Sequence, residues 1–312
     1  MESTSQWGFD RLTSGLMERS DVLRYILQSM SDSIMIVDSD GEIVYASSQH
    51  SCLTIQSRMD DYLENVHEQC RKTVIRTFYL IKKHGKPISA QYRYHSAGGW
   101  LWVEATGIPL ADGNGKVGYI AVLMKDITQR KQAEESLREL AFHDPLTGLP
   151  NRRLFKEHLL QSLAHAKRSR GLLGLMYLDI DDFKLINDTM GHEAGDDFLR
   201  AFASRIKGCI REVDMVARMG GDEFTVLLPS VDSASSVEKV AKRIFTAISA
   251  PWETKGHRFS ATVSGGVVVY PANGEDAATL LHNVDRALYR VKESGRSNYV
   301  FYDPAILKEG TA

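Results

Sequence analysis

Residues 129–141 divide the chain into two stretches whose apolar residues recur with different periods, and that switch constrains the fold most. Before it, short β-rich runs alternate with turn residues: Ser33-Ile34-Met35-Ile36-Val37, Asp38-Ser39-Asp40-Gly41, then Glu42-Ile43-Val44-Tyr45. Two such runs around an Asp-Gly pair predict a hairpin. A helical stretch carrying Val66, Val74, Phe78 and Leu80 follows, then strand-like runs over 89–95, 100–106 and 117–125. Gly98-Gly99 and Asp112-Gly113-Asn114-Gly115 separate those runs as turns. The expectation for 21–128 is a small antiparallel sheet with helices on one side. Ahead of it, residues 1–20 read as a leader, and Val22, Leu23, Ile26 and Leu27 form one apolar helical face.

After the dividing segment, helices alternate with short apolar strands. Helices are expected over 153–168, 197–209, 236–248 and 276–291, and strands over 172–179, 224–228, 259–269 and 299–302. That order predicts an α/β sandwich of one sheet with helices packed on it, over 142–305, with a tail at 306–312. The divider is charged and helix-favouring, with Ala133, Leu137, Leu140 and Ala141 at three- and four-residue intervals. It reads either as the seam of a parallel coiled-coil dimer or as a surface helix on its own domain.

Composition removes several classes. The 312 residues suit two domains at roughly 150 residues each. Lys+Arg 38 against Asp+Glu 40 leaves no basic excess, so a nucleic-acid partner is not expected. Cys52, Cys70 and Cys209 contain no CxxC pair, which argues against a disulfide scaffold or structural zinc. Met1 to Met17 lacks an apolar signal-peptide core, and no uncharged apolar run approaches the roughly 18 residues of a membrane span. The expectation is a cytoplasmic chain without a membrane span.

The chemistry concentrates in Arg218-Met219-Gly220-Gly221-Asp222-Glu223-Phe224-Thr225-Val226-Leu227-Leu228. Two glycines permit a tight turn, and adjacent carboxylates on a rigid hairpin tip suit a hard divalent cation. Alone, the run is equally a solvated turn. Upstream, Leu178-Asp179-Ile180-Asp181-Asp182-Phe183-Lys184 ends a buried strand in acids, which either ligate a metal or cap the next helix. Asn187, Gly191-His192 and Gly195-Asp196 follow in what reads as a turn-rich loop, with side chains able to pair with a purine edge. No GxxxxGK[ST] motif is present, so an ordinary P-loop is absent.

Four motifs in order resemble the GGDEF-domain diguanylate cyclases, over 139–302. They are Asp144-Pro145-Leu146-Thr147-Gly148-Leu149-Pro150-Asn151-Arg152; Leu178-Asp179-Ile180-Asp181; Asn187 with Gly191-His192-Glu193-Ala194-Gly195-Asp196; and the signature Gly220 to Phe224. Residues 21–128, closing on Asp126-Ile127-Thr128, resemble a PAS sensor domain. The resemblance implies a nucleotidyl-cyclase-like fold and condensation of two GTP into cyclic di-GMP and two pyrophosphates. Two Mg²⁺ or Mn²⁺ ions are implied per site, at a homodimer interface. Asp179, Asp222 and the Ile180 carbonyl match metal ligands, and Glu223 helps hold the second ion. Asp222 also matches the base for the 3′-hydroxyl. Asn187 and Asp196 match guanine readers and His192 a substrate contact. Lys184 matches a residue stabilising phosphate charge, and Lys292 and Arg296 match triphosphate clamps.

Arg211-Glu212-Val213-Asp214, five residues before Gly220, matches an RxxD product-inhibition site, with Arg243 as a supporting arginine. Without product binding the same residues are a surface ion pair. One departure is Ser264-Gly265-Gly266 in place of Ser-Ile-Gly, expected to loosen local packing. The PAS ligand stays open: Cys70 lacks the surrounding flavin-adduct motif, His67 is a weak haem candidate, and Trp100 and Trp102 read as core or interface. The alternative to a PAS-regulated cyclase is a non-catalytic cyclic di-GMP receptor or dimerising scaffold. No segment the size of a phosphodiesterase domain follows residue 305, so that activity is not expected, and a biofilm phenotype follows by analogy alone.

Overall fold

The structure, a computed structural model, describes residues 33–46, 58–96, 98–111, 115–254 and 257–305. The expected leader, the 21–30 helix, Cys52, most of the 112–115 turn and the tail lie outside the described residues. The chain forms two compact units, Met1–Glu135 and Ser136–Ala312.

In the first unit, β1 (Ser33–Asp38) and β2 (Ile43–Ala46) pair as the expected hairpin. Asp38 Oδ1 accepts from the N–H groups of Asp40 and Glu42, both at 2.8 Å, and Gly41 takes a φ of 84° that closes the turn. Helices α1 (Met59–Glu64) and α2 (Glu68–His84) follow, then β3 (Ile88–Ser96), β4 (Gly99–Ala111) and β5 (Val117–Asp126). The antiparallel order is β2-β1-β5-β4-β3. Alternate residues Tyr92, Tyr94, Val103, Ala105, Ile120 and Val122 face a core shared with Tyr62 and Ile81. At Gly107 a Cβ would stand 2.5 Å from Ile81 Cδ1, so glycine lets α2 approach the sheet. The space left there is about 40 Å³, an order of magnitude below a cofactor pocket. His67 caps α2, its Nδ1 accepting from Gln69 N at 3.3 Å. Trp100 is 44% exposed rather than core, its ring 5.1 Å from both His67 and His95.

The division between units falls within α3 (Thr128–Phe142), which buries no residue and exposes Leu137 and Leu140. The second unit holds α4 (Arg152–Ser169), β6 (Leu172–Ile180), α5 (Phe183–Met190), α6 (His192–Lys207), β7 (Met215–Gly220) and β8 (Glu223–Val231). It continues with α7 (Ala234–Ile248), β9 (Trp252–Thr254), β10 (His257–Phe259), β11 (Val263–Tyr270), α8 (Ala277–Glu293) and β12 (Tyr299–Phe301). Its main sheet runs β12-β11-β6-β8-β7, antiparallel except for the β11–β12 pair. Central β6 reads as an uninterrupted apolar run because helices cover both faces. Leu173 and Leu175 meet Phe155, Leu159 and Leu280, while Met176 and Leu178 join Phe198 and Phe202 on the other side.

Three expectations change. The region around 187–196, read as a turn-rich loop, folds into α5 and α6 with a break at Gly191, whose φ is 86°. Polar residues mask the helical spacing of Ala194, Phe198, Leu199 and Phe202, which α6 buries. The single strand expected over 259–269 is two: β10 turns back on β9, and β11 begins afresh at Val263. Packing at Ser264-Gly265-Gly266 is tight rather than loose. A Cβ on Gly265 would meet Phe245 Cζ at 2.8 Å, so the α7 phenyl ring fills the space.

Candidate functional site

The end of β6 and the β7–β8 hairpin build the site. Asp179 pairs across the sheet with Glu223, and Gly220 pairs with Glu223 on the other side. That register leaves Gly221-Asp222 as a two-residue turn. Gly221 takes a φ of 53°, which the first residue of such a turn needs and a glycine supplies without strain. Ile180 N donates to Asp222 O at 3.3 Å, so turn and strand end are tied by their backbones.

Asp179 is only 9% exposed, and Lys292 Nζ from α8 stands 2.8 Å from its Oδ2. Burial pushes the Asp179 carboxyl above its ordinary value; Lys292 opposes the shift, and the charges of Asp222 and Asp181 add to it. Glu223 Oε2 accepts from the Tyr177 hydroxyl at 3.2 Å and lies 3.8 Å from Arg152 Nη2. Burial raises the Tyr177 hydroxyl, and the neighbouring Glu223 charge raises it further, so the phenol stays a donor.

Lys184 is exposed on the first turn of α5. Asn187, later on α5, lays its side-chain carbonyl against the bare Cα of Gly195, where a Cβ would collide with Oδ1. Asn187 thus packs on the first turn of α6, where His192 and Asp196 are both exposed. Arg296 is exposed in the loop after α8, at a φ of 61°.

Arg211 and Asp214 lie at the far end of β7. Arg211 N donates to Asp214 Oδ2 at 3.0 Å, and Asp214 N donates to Arg211 O at 3.0 Å, making a closed local turn. Arg243 Nε on α7 donates to Cys209 O at 2.6 Å, which places it beside that turn. Six strand residues separate this turn from Gly221, about 20 Å at the rise of a β-strand.

Several residues at the site had no role in the sequence reading. Arg218 Nη1 pairs with Asp144 Oδ1 at 2.9 Å, and its Nε donates to Gly221 O at 2.9 Å. Thr147 donates to the same Asp144 oxygen through N at 2.8 Å and Oγ1 at 2.7 Å. The opening motif is thus a half-buried brace for the signature turn. Tyr177, Arg152 and Asp181 are the others. The available signal was that Asp144, Arg152, Asp181 and Arg218 all lie inside the quoted motifs.

Among the described residues no three His, Cys, Asp or Glu side chains converge as a metal cluster. The donor chemistry nonetheless suits a hard cation, with carboxylate oxygens of Asp179, Asp222 and Glu223 and the Ile180 carbonyl.

A two-faced α/β sheet with acids at a Gly-Gly turn defines the class. Residues 141–298 match the family described as diguanylate cyclase, GGDEF domain, and residues 50–124 match the PAS fold. The chain belongs to the GGDEF family and carries a PAS-fold segment before that domain. The diguanylate cyclase TpbB of Pseudomonas aeruginosa is 40% identical over 178 residues, 56% of this chain and 41% of that protein. The solved GGDEF domain of TpbB is 40% identical, covers 54% of this chain and 99% of its own, and superposes with a TM-score of 0.52. The coiled coil and GGDEF domain of DgcB from Caulobacter crescentus, solved with c-di-GMP, is 30% identical at a TM-score of 0.51, covering 56% and 93%. The chain spans 34%, 31% and 41% of three curated relatives, well under their full lengths. No helix among the described residues is long and apolar enough to cross a membrane.

Proposed function

We infer that this chain is a diguanylate cyclase: two GTP are joined into cyclic di-GMP with release of two pyrophosphates, in the cytoplasm. The observation that carries this reading is the cross-strand pairing of Asp179 with Glu223, with Asp222 in the adjoining turn and Lys292 on Asp179. Carboxylates and cations in one place suit phosphoryl transfer, where positioning and charge neutralisation do most of the work.

Asp179, Asp222, Glu223 and the Ile180 carbonyl would hold divalent metal, Mg²⁺ or Mn²⁺. A bound ion supplies Lewis-acid stabilisation of charge on the phosphate oxygens. Asp222, half-buried in the signature turn, takes the proton from the attacking 3′-hydroxyl. Lys184, Lys292 and Arg296 bind phosphate charge, and Asn187, packed on Gly195, reads guanine with Asp196 and His192. One domain binds one GTP, so closing the product ring takes a homodimer. The exposed Leu137 and Leu140 on α3 supply its seam. Arg211, Asp214 and Arg243 form the product-inhibition site, and the PAS segment regulates the whole.

The test is turnover of GTP by the purified chain with Mg²⁺ or Mn²⁺, read as cyclic di-GMP by chromatography. Asp222→Ala is expected to lower the rate by about 100-fold or more. Undiminished turnover in that variant overturns the assignment. A second reading, a cyclic di-GMP receptor, is favoured by the preformed Arg211–Asp214 turn. It is upheld instead if the wild-type chain binds product yet makes none.

A further inference from the structure

Asp181 is the one acid of the Leu178-Asp179-Ile180-Asp181 run with no role in the chemistry proposed above. It is also among the most enclosed charged residues described, at 7% exposure. Its Oδ2 accepts from Thr262 Oγ1 at 2.7 Å and from Ser297 N at 3.1 Å, and its Oδ1 accepts from Ser264 Oγ at 2.7 Å. Its own N–H donates to Thr262 O at 2.9 Å. One carboxyl group therefore collects the end of β6, the start of β11 and the loop that follows α8.

The loop end is the informative one. Gly295, Arg296 and Ser297 have φ values of 106°, 61° and 54°, three successive residues in left-handed backbone. Glycine tolerates that conformation, whereas arginine and serine adopt it at a cost and keep it only where surroundings impose it. Arg296 N is held by Val291 O at 3.0 Å, and the next N–H, that of Ser297, is held by Asp181. The two bonds bracket Arg296 on both sides. Because Asp181 lies two residues beyond Asp179, the same anchor sets the loop at a fixed offset from the Asp179 carboxylate.

We propose that Asp181 is a positioning residue. By holding the strained 295–297 segment it presents Arg296 to the triphosphate bound beside Asp179. The proposal rests on the cyclase reading for the identity of the ligand. Asn at position 181 keeps the size but offers one acceptor oxygen where the site uses two. Either orientation of the amide then abandons one set of donors.

The experiment uses the full chain and two readouts that need no turnover. In Asp181→Asn, amide hydrogen exchange over residues 294–298 is expected to speed up about tenfold or more. Affinity for a non-hydrolysable GTP analogue, measured by calorimetry with Mg²⁺, is expected to fall by about tenfold. Arg296→Ala is expected to fall by a similar factor, and the double variant no further than Arg296→Ala alone. Unchanged exchange, or losses that simply multiply, overturn the proposal. Thr262→Val and Ser264→Ala remove one donor each and are expected to give fractional versions of the same effects. They keep the test readable if Asp181→Asn folds poorly. A wild-type chain that binds the analogue but makes no product counts against the cyclase reading and leaves this cycle intact.

Discussion

The two ends of β7 carry the turns to which catalysis and product inhibition are assigned in the proposal above, and they are built in opposite ways. At the Gly220 end, Arg218 is 11% exposed, paired with Asp144 from 74 residues away, and bonded to the carbonyl of the signature turn. At the Met215 end, Arg211 and Asp214 close a turn on each other through the Asp214 carboxylate and one backbone–backbone bond, and Arg211 stays exposed. The difference teaches where rigidity is needed. A turn proposed to hold carboxylates for metal and phosphate needs pre-organisation, and its brace is half-buried and long-range. A site proposed to report product concentration needs access, and the Arg211–Asp214 framework is short-range and exposed.

Arg218→Ala attacks this contrast hardest. It leaves Asp144 with the Thr147 hydrogen bonds alone and frees the Gly221 carbonyl, and unfolding by urea should show a loss of about 2–4 kcal/mol. A loss below about 0.5 kcal/mol, typical of surface substitutions, erases the distinction between the two ends. Gly195→Ala comes next. The added methyl collides with Asn187, so KM for GTP should rise by about tenfold while thermal stability falls by only a few degrees. An unchanged KM would separate Asn187 from substrate binding.

Acid sharpens the same comparison. Burial alone would raise the Asp144 carboxyl, but hydrogen bonds from Thr147 and the Arg218 guanidinium outweigh it and hold the group below the ordinary aspartate value. A carboxyl depressed in the folded state contributes fully above its unfolded value near about pH 4, and the contribution fades as pH falls through the depressed value. Stability against pH should thus drop more steeply below about pH 4 in the wild type than in Asp144→Asn. Parallel curves would remove Asp144 from the brace. The smallest structural effect is expected of Arg211→Ala, which keeps the backbone bond to Asp214. Its stability should stay within about 0.5 kcal/mol of wild type, while inhibition by added cyclic di-GMP is relieved. Retained inhibition would show that product binds elsewhere.

Much of the fold was legible because its signals are local. The Asp38-to-Glu42 turn, the apolar β6 run and the amphipathic α8 each announce themselves within one element, through period or turn chemistry. The α5–α6 pair was not, because polar side chains gathered around Asn187 and Asp196 look like a loop when their apolar backing is unseen. Phe245 filling the space beside Gly265 was equally hidden, since the two lie on different elements and nothing in either one names the other.

Sequence alone determined the class of chemistry: acids at a Gly-Gly turn, a second acidic strand end, and cations on and just after a late helix are fixed by residue type. Only tertiary structure decided how those groups are held. Lys292 reaches Asp179, Arg218 reaches Asp144, and Thr262, Ser264 and Ser297 reach Asp181 across gaps of 74 to 116 residues. Burial is what turns those meetings into constraints. A carboxyl group withdrawn from water must find donors, and which donors it finds is set by the folded sheet and its two layers of helices.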